Sequence, residues 1–282
     1  MSSNVSTPLL EPQGLPLGTS PLARHVTNAR PSTPQAETTN LDDIPPLSLD
    51  VLSSRNDKVD ALKLVADSIA QQRQRAAFSL IFHPLLLAGL ALVFAITYQL
   101  VWIPRPAENR GIGLALTLVA GTLMAYLAAV RYATAGYIQL AEDVKYDFLV
   151  SPDTGDEDIV IGTRYGSEII GALVLRLEPG VSSPRKKNRT QSLRGGKGVI
   201  RAWTVRLRYR GKELGADMLH EAVRITRERC GKDAEVGFAA EHANSQMVLP
   251  EMFNRIFRQG ERRAAGALEK VLGQWEGVRR KR

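Results

Sequence analysis

Two runs near the middle of the chain restrict its fold more than any other feature. "AAFSLIFHPLLLAGLALVFAITYQLVWI", residues 76–103, and "GIGLALTLVAGTLMAYLAAV", residues 111–130, contain no Asp, Glu, Lys or Arg. Each meets the roughly 20 apolar residues needed to cross the hydrocarbon of a bilayer. Only "PRPAENR", residues 104–110, joins them. So short a link sends the second run straight back and leaves both ends of a transmembrane helical hairpin on one side. Trp102 lies where interfacial aromatic residues gather. His83-Pro84 breaks the first run near its start and marks either the true helix beginning or a kink. The competing reading, a hairpin buried in a soluble core, fits two long charge-free runs poorly. Lys63, Arg73, Arg75, Arg131 and Lys145 flank the shared ends, against Arg105 and Arg110 in the link. The positive-inside tendency therefore puts both termini in the cytosol. Asn188-Arg189-Thr190 is a glycosylation sequon that checks this orientation, because a lumenal one would be modified.

Outside the hairpin the composition is uneven. Residues 1–45 are rich in Ser, Thr, Pro and Asn and offer too little apolar surface to offset the entropy of ordering, which predicts a disordered tail. Its Ser20-Pro21 and Thr33-Pro34 pairs are of a kind that kinases modify, and are common in such tails. The lone Cys230 excludes an intramolecular disulfide and any cysteine-based zinc cluster. His25, His83, His220 and His242 lack metal-ligand spacing, so no metal site is expected. Residues 181–201, "VSSPRKKNRTQSLRGGKGVIR", carry seven basic residues and no acid. That loop suits anionic lipid headgroups, an acidic substrate, or plain solvation. Without interleaved aromatics, nucleic acid is not expected as a partner.

The rest has the rhythm of one α+β domain. Residues 47–52 read as a short strand, followed by a helix from about Asn56. After the hairpin, 137–149 reads as a helix and 158–179 as two strands around a turn at 164–167. Residues 198–209 read as a strand rich in β-branched and aromatic side chains. Residues 215–230 form an amphipathic helix, 234–240 another strand, and 252–278 a helix. The expected organisation is a tail (1–45), a first strand and helix (46–75), the membrane hairpin (76–130), the main body (131–257), and a C-terminal helix with a basic end (258–282).

At the centre of that order lies "VRLRYRGKELGADML", residues 205–219. A strand ends, the chain turns tightly, and backbone N–H groups converge at a helix N-terminus, which favours a pyrophosphate. Gly211 lets the backbone approach closely, and Arg208, Arg210 and Lys212 add positive charge. The bland alternative is a basic strand-to-helix turn with no ligand. Glu213 places a carboxylate in the same turn. It points either to solvent, leaving anion binding intact, or to the anion, weakening it.

Element order and turn together resemble the Gcn5-related N-acetyltransferase superfamily. Arg208, Gly211 and Glu213 stand at the three specified positions of its Gln/Arg-x-x-Gly-x-Gly/Ala motif, Gly215 adds a further glycine, and Val205 matches its strand valine. The hairpin between the first two helices is similar to the membrane-bound cysteine-conjugate and endoplasmic-reticulum lysine N-acetyltransferases. The resemblance spans roughly residues 47–257. It implies a GNAT-like mixed sheet flanked by helices, acetyl-CoA as co-substrate, and acetyl transfer to an amine of a protein or small molecule. It implies a location in the endoplasmic reticulum or another endomembrane. Val205 and Leu207 would hold the cofactor arm, with Arg208, Arg210, Gly211, Lys212, Gly215 and Asn244 as further cofactor contacts. Glu241 or His242 would be the base, each otherwise a solvated residue at a strand end. The departures are Glu213 and a missing tyrosine acid in "NSQMVLPEMFNRIF", where Phe253 has no proton to give. They keep open a degenerate member acting as an interaction module, and more distantly a membrane-shaping hairpin protein.

Overall fold

The computed structural model describes residues 45–106, 108, 111–151, 155–180 and 193–280. The N-terminal tail with Ser20-Pro21 and Thr33-Pro34, and the sequon at Asn188, lie outside the described residues.

Five strands form one mixed sheet in the order β1-β2-β3-β4-β5. They are β1 (Leu47–Val51), β2 (Ile159–Tyr165), β3 (Glu168–Glu178), β4 (Lys197–Val205) and β5 (Val236–Phe238). The first three pairings are antiparallel. The last, β4 with β5, is parallel and lasts three residue pairs, Gly198↔Val236 to Ile200↔Phe238. β3 lies at the middle of the sheet, and its "IIGALVL" is buried along its whole length, as a strand covered on both faces requires.

Helices cover the two faces. α1 (Arg55–Ile81) packs Ala61, Leu62, Leu64, Val65 and Ile69 on Val160, Ala172, Val174 and Ala202. α5 (Leu214–Cys230) packs Met218, Leu219, Ala222 and Val223 on Ile161, Leu173, Leu175 and Ile200. Met218 and Leu219 are fully buried, each worth about 1.5–3 kcal/mol of transfer free energy. α6 (Arg255–Arg280) lies beside α5, adding Leu268 and Val271 to the same core. Cys230 ends α5 buried, and burial pushes its thiol pKa up, so it behaves as packing rather than as a nucleophile.

β1 and α1 precede the apolar runs in sequence yet pack with the strands that follow them. α1 begins at Arg55 behind Ser54, one residue earlier than the sequence suggests, and Asp57 in its first turn pairs with Arg164 at 2.5 Å. It ends at Ile81 because Pro84 bars its predecessor from helical geometry. α2 (Pro84–Thr97) then starts afresh, with His83 Nδ1 accepting from the Leu85 N–H at 3.3 Å. Pro84 has no N–H for the Leu80 carbonyl. That carbonyl accepts instead from the His83 N–H at 3.1 Å, and Tyr126 of α3 (Ile112–Ala133) adds its hydroxyl, donating to Leu80 O at 3.3 Å and Ile81 O at 2.9 Å. That contact ties the base of α3 to the break between α1 and α2. α2 runs on through a π-helical turn, Tyr98–Trp102.

Two helices are long and apolar enough to cross a membrane, Pro84–Trp102 and Ile112–Glu142; their most apolar 18-residue stretches have mean hydropathy 2.1 and 2.0 and are not buried by the rest of the chain. The helix expected over 137–149 is shorter, α4 (Gly136–Glu142), followed by a 3-10 turn at Tyr146–Leu149.

Candidate functional site

On β4, Ile200 pairs with Leu175 and Ala202 with Val174, which makes Arg201 the extra residue of a β-bulge. The bulge bends β4 where its parallel ladder with β5 stops. Ala239 N–H reaches Ile200 O at 2.9 Å and Ala243 N–H reaches Arg201 O at 2.8 Å, and the two chains then part. Arg201 closes the basic stretch 181–201 and also belongs to the strand expected over 198–209; it lies in β4. Its Nη1 lies 2.7 Å from Asp158 and its guanidinium 4.2 Å over the Phe148 ring, while Arg176 holds the other Asp158 oxygen at 2.7 Å. Asp158 is 6% exposed, so this buried carboxylate between two arginines fixes the bend. Lys197 likewise lies in β4 and pairs with Glu178 at 3.2 Å.

Where β4 and β5 part, a cleft of about 550 Å³ opens. Its floor is Trp203, Thr204 and Val205, with Phe238 from β5. α1 contributes Ser68, Gln71, Gln72 and Arg75, and α6 covers the far side with Ile256, Phe257, Gly260 and Glu261. At one end the cleft meets the N-terminus of α5 at Gly211, Glu213, Leu214 and Gly215. Trp203 is braced there, its Nε1 donating to Gly215 O at 3.1 Å.

The turn into α5 departs from expectation. β4 ends at Val205, and a 3-10 turn at Leu207–Tyr209 replaces the predicted strand end. It leaves Leu207 and Arg208 exposed and outside the cleft lining, and Lys212 is outside it too, 5.6 Å over the Tyr209 ring. Val205, Arg210, Gly211 and Gly215 do line the cleft. Arg210 Nε donates to the Val205 carbonyl at 2.7 Å, occupying an acceptor on the strand edge. Gly211 takes φ +78°, as the tight turn requires. Glu213 takes φ +63°, and among the described residues it is the one non-glycine in the left-handed region. It is the N-cap of α5, its side chain makes no capping bond, and its conformation costs about 1–2 kcal/mol. The sequence places Glu213 as a comfortable first-turn residue, but the structure strains it.

The segment after β5 is held from both sides. Asn244 Oδ1 accepts from Ser68 at 3.1 Å, and its carbonyl accepts from Gln72 at 3.0 Å. Asn244 thus fastens the segment to α1 with its carboxamide oxygen already engaged. His242 lines the cleft with its ring 5.7 Å from Phe238, whereas Glu241 is exposed and outside the lining. Burial lowers the His242 pKa, with Glu261 pulling weakly the other way. The imidazole is therefore neutral at neutral pH, the form a base needs.

The arginines matter as much. Burial lowers the Arg210 pKa, and Arg75 lowers it further. Neither arginine makes an ion pair among the described residues. Two convergent cations at a helix N-terminus favour an anion. Among the described residues no three His, Cys, Asp or Glu side chains gather to hold a metal ion.

No protein-family model and no curated protein matches the chain. Among solved structures it is similar to a GCN5-related N-acetyltransferase from Ralstonia eutropha, at 13% identity and a TM-score of 0.30, over 76% of this chain and 91% of that one. So distant a likeness carries no argument, and the functional reading rests on the cleft.

Sequence reasoning missed Ser68, Gln71, Gln72 and Arg75, which look like an ordinary helix surface until the sheet is placed beside them. It also missed Tyr209, a phenol in the cleft lining that was expected to continue a strand.

Proposed function

We propose that the chain is a membrane-bound acetyltransferase of GNAT-like fold, moving acetyl from acetyl-CoA to an amine, with both termini cytosolic. The observation that carries the reading is the cleft between the parting strands, which ends on the N-terminus of a 17-residue helix and is lined by two arginines without an ion pair among the described residues. Most of its residues suit this co-substrate. Gln71 Oε1 and His242 Nδ1 are buried in the cleft without a protein partner and suit an amide-rich ligand. Arg75, Arg210 and the amides around Gly211 and Gly215 suit its phosphates. Acetyl-CoA supplies an acetyl thioester, whose carbonyl carbon is the electrophile. His242 accepts a proton from the amine. Tyr209 holds a proton on its hydroxyl at the same cleft, the role an acid needs when a thiolate departs. Backbone N–H groups along the open edge of β4 are placed to stabilise developing negative charge.

A second reading, a membrane-bound interaction module without catalysis, is favoured by the turn itself. Glu213 puts a carboxylate where phosphate would sit, and Arg210 covers the Val205 carbonyl. Calorimetric titration of acetyl-CoA into full-length protein in detergent, beside Glu213→Gly, separates the two. Micromolar binding by the native chain supports the transferase. Binding gained only with Glu213→Gly supports the module. Binding by neither rejects the co-substrate.

A further inference from the structure

Two exposed apolar rails connect the cleft to the membrane-length helices. On α1, Gln71 and Arg75 line the cleft, and Phe78 and Phe82 continue that helix face at spacings of three and four. Phe78 is 65% exposed and the C-cap Phe82 59%, their ring centroids 4.7 Å apart. Near the end of α1 lie Val248 in the loop after β5, Met252 in a 3-10 turn (Glu251–Phe253) and Ile256 in the first turn of α6, 38%, 57% and 44% exposed. Ile256 also lines the cleft and so marks its mouth. Between these three, Leu249, Phe253 and Phe257 turn inward against Ala76, Leu80, Val130 and Tyr137. Phe253 lies edge-on to His83 at 4.7 Å, and Phe257 lies 5.8 Å from Tyr137. Both rails therefore end beside Pro84, where the first apolar helix begins. From Phe82 to Arg75 the rise along α1 is only about 10 Å.

A run of exposed aromatic and aliphatic side chains is unfavourable in water and marks a surface with an apolar partner. A small soluble amine gains nothing from it. Farther in, the lining turns polar: Arg75 and Arg210 are the cations assigned above to phosphate, which leaves Glu261, near enough to His242 to act on its charge, as the carboxylate for a cationic group. A molecule matching both parts has a long hydrocarbon chain and a cationic head.

Resting on the acetyltransferase reading above, we propose that the acceptor is a long-chain primary amine that slides from the bilayer along these rails into the cleft. Its chain stays against Phe78, Phe82, Val248 and Met252 while its ammonium enters beside Glu261 and His242. The ammonium gives one proton to His242, and the free amine then bonds to the acetyl carbon as the carbon–sulfur bond breaks. The departing sulfur takes a proton from Tyr209, whose hydroxyl is restored by the second proton that the nitrogen loses on becoming an amide. His242 returns its own proton to solvent. An N-acyl amphiphile and the free thiol remain, with no oxidant or reductant required.

The test uses full-length protein in phosphatidylcholine liposomes, radiolabelled acetyl-CoA, and two primary amines, hexadecylamine and butylamine. The expected result is kcat/KM for hexadecylamine at least about a hundredfold above that for butylamine. Met252→Glu and Phe78→Glu, outside the cleft lining, lower it about tenfold each. In those variants acetyl-CoA affinity and melting temperature stay unchanged, which separates a substrate path from a folding defect. Equal turnover of both amines, or rail variants without effect, overturns this inference and leaves acetyl transfer standing. Absence of acetyl-CoA binding in the native protein overturns the underlying reading and this inference with it.

Discussion

β4 has two different edges. Toward β3 it pairs at every residue but the bulged Arg201, against a strand buried from Ile169 to Leu175. Toward β5 it pairs at three positions, is bent by Arg201, and gives way to a cleft. The same nine residues thus serve as core on one side and as candidate site on the other. The difference teaches where function can be placed in such a sheet. The closed edge supplies rigidity, and the open edge leaves backbone, arginines and an imidazole facing an accessible space.

The largest test removes the carboxylate that fixes the bend. Asp158→Ala leaves the Arg176 and Arg201 side chains, 17% and 21% exposed, without their shared partner. It should destabilise the chain by about 3–5 kcal/mol, read by chemical denaturation in detergent. A loss below about 1 kcal/mol would mean the bend is held by something else. On the open edge, a Cβ at Gly215 would lie 2.8 Å from the Trp203 ring. Gly215→Ala should cost about 1–3 kcal/mol. It should weaken acetyl-CoA binding in calorimetry by displacing the floor of the cleft, while a variant at an open position such as Gly237 changes neither.

Glu213→Gly works in the opposite direction. It releases the left-handed strain and should raise stability by about 1 kcal/mol, seen as a higher melting temperature, despite a more flexible unfolded chain. The smallest effect concerns pH. His242 has its pKa depressed in the fold, so as pH falls through the ordinary imidazole range near about 6.5 the unfolded chain takes up the proton first. Stability is thus full above that range and declines as pH falls toward the folded-state value. His242→Gln should flatten part of that decline in melts recorded from pH 7 to 5, leaving alkaline stability unchanged.

Legibility followed the range of the interactions involved. The β2–β3 hairpin and the amphipathic α5 are written in local periodicity, and the sequence shows them within a residue or two; the apolar runs are as plain, but residues 76–81 finish α1 and the first membrane-length helix starts only at Pro84. The turn at 207–213 was visible as a turn, but not its handedness or which of its cations face inward. Leu207, Arg208 and Lys212 turn away because a 3-10 turn intervenes, and no spacing rule distinguishes that from strand. Glu213 is legible as a carboxylate in that turn, but its left-handed backbone has no signature in a residue that is not glycine. The pairing of Arg201 with Asp158 is not written in the sequence, because Asp158 lies just before β2, far from Arg201 along the chain. The α1 and α6 walls of the cleft depend on packing between residues far apart in the chain, which a linear pattern does not record. The same holds for the apolar rails, since Met252 and Ile256 become notable only once Phe253 and Phe257 are seen to face inward.

The most direct measurement of the central claim is backbone hydrogen exchange of the full-length protein in detergent, with and without acetyl-CoA. The account predicts added protection at Trp203–Val205 and at Leu214–Met218, where the open edge of β4 and the N-terminus of α5 meet the cleft, and no change in β1 or β2. Unchanged exchange at both segments, or protection confined to the opposite edge of the sheet, would contradict it.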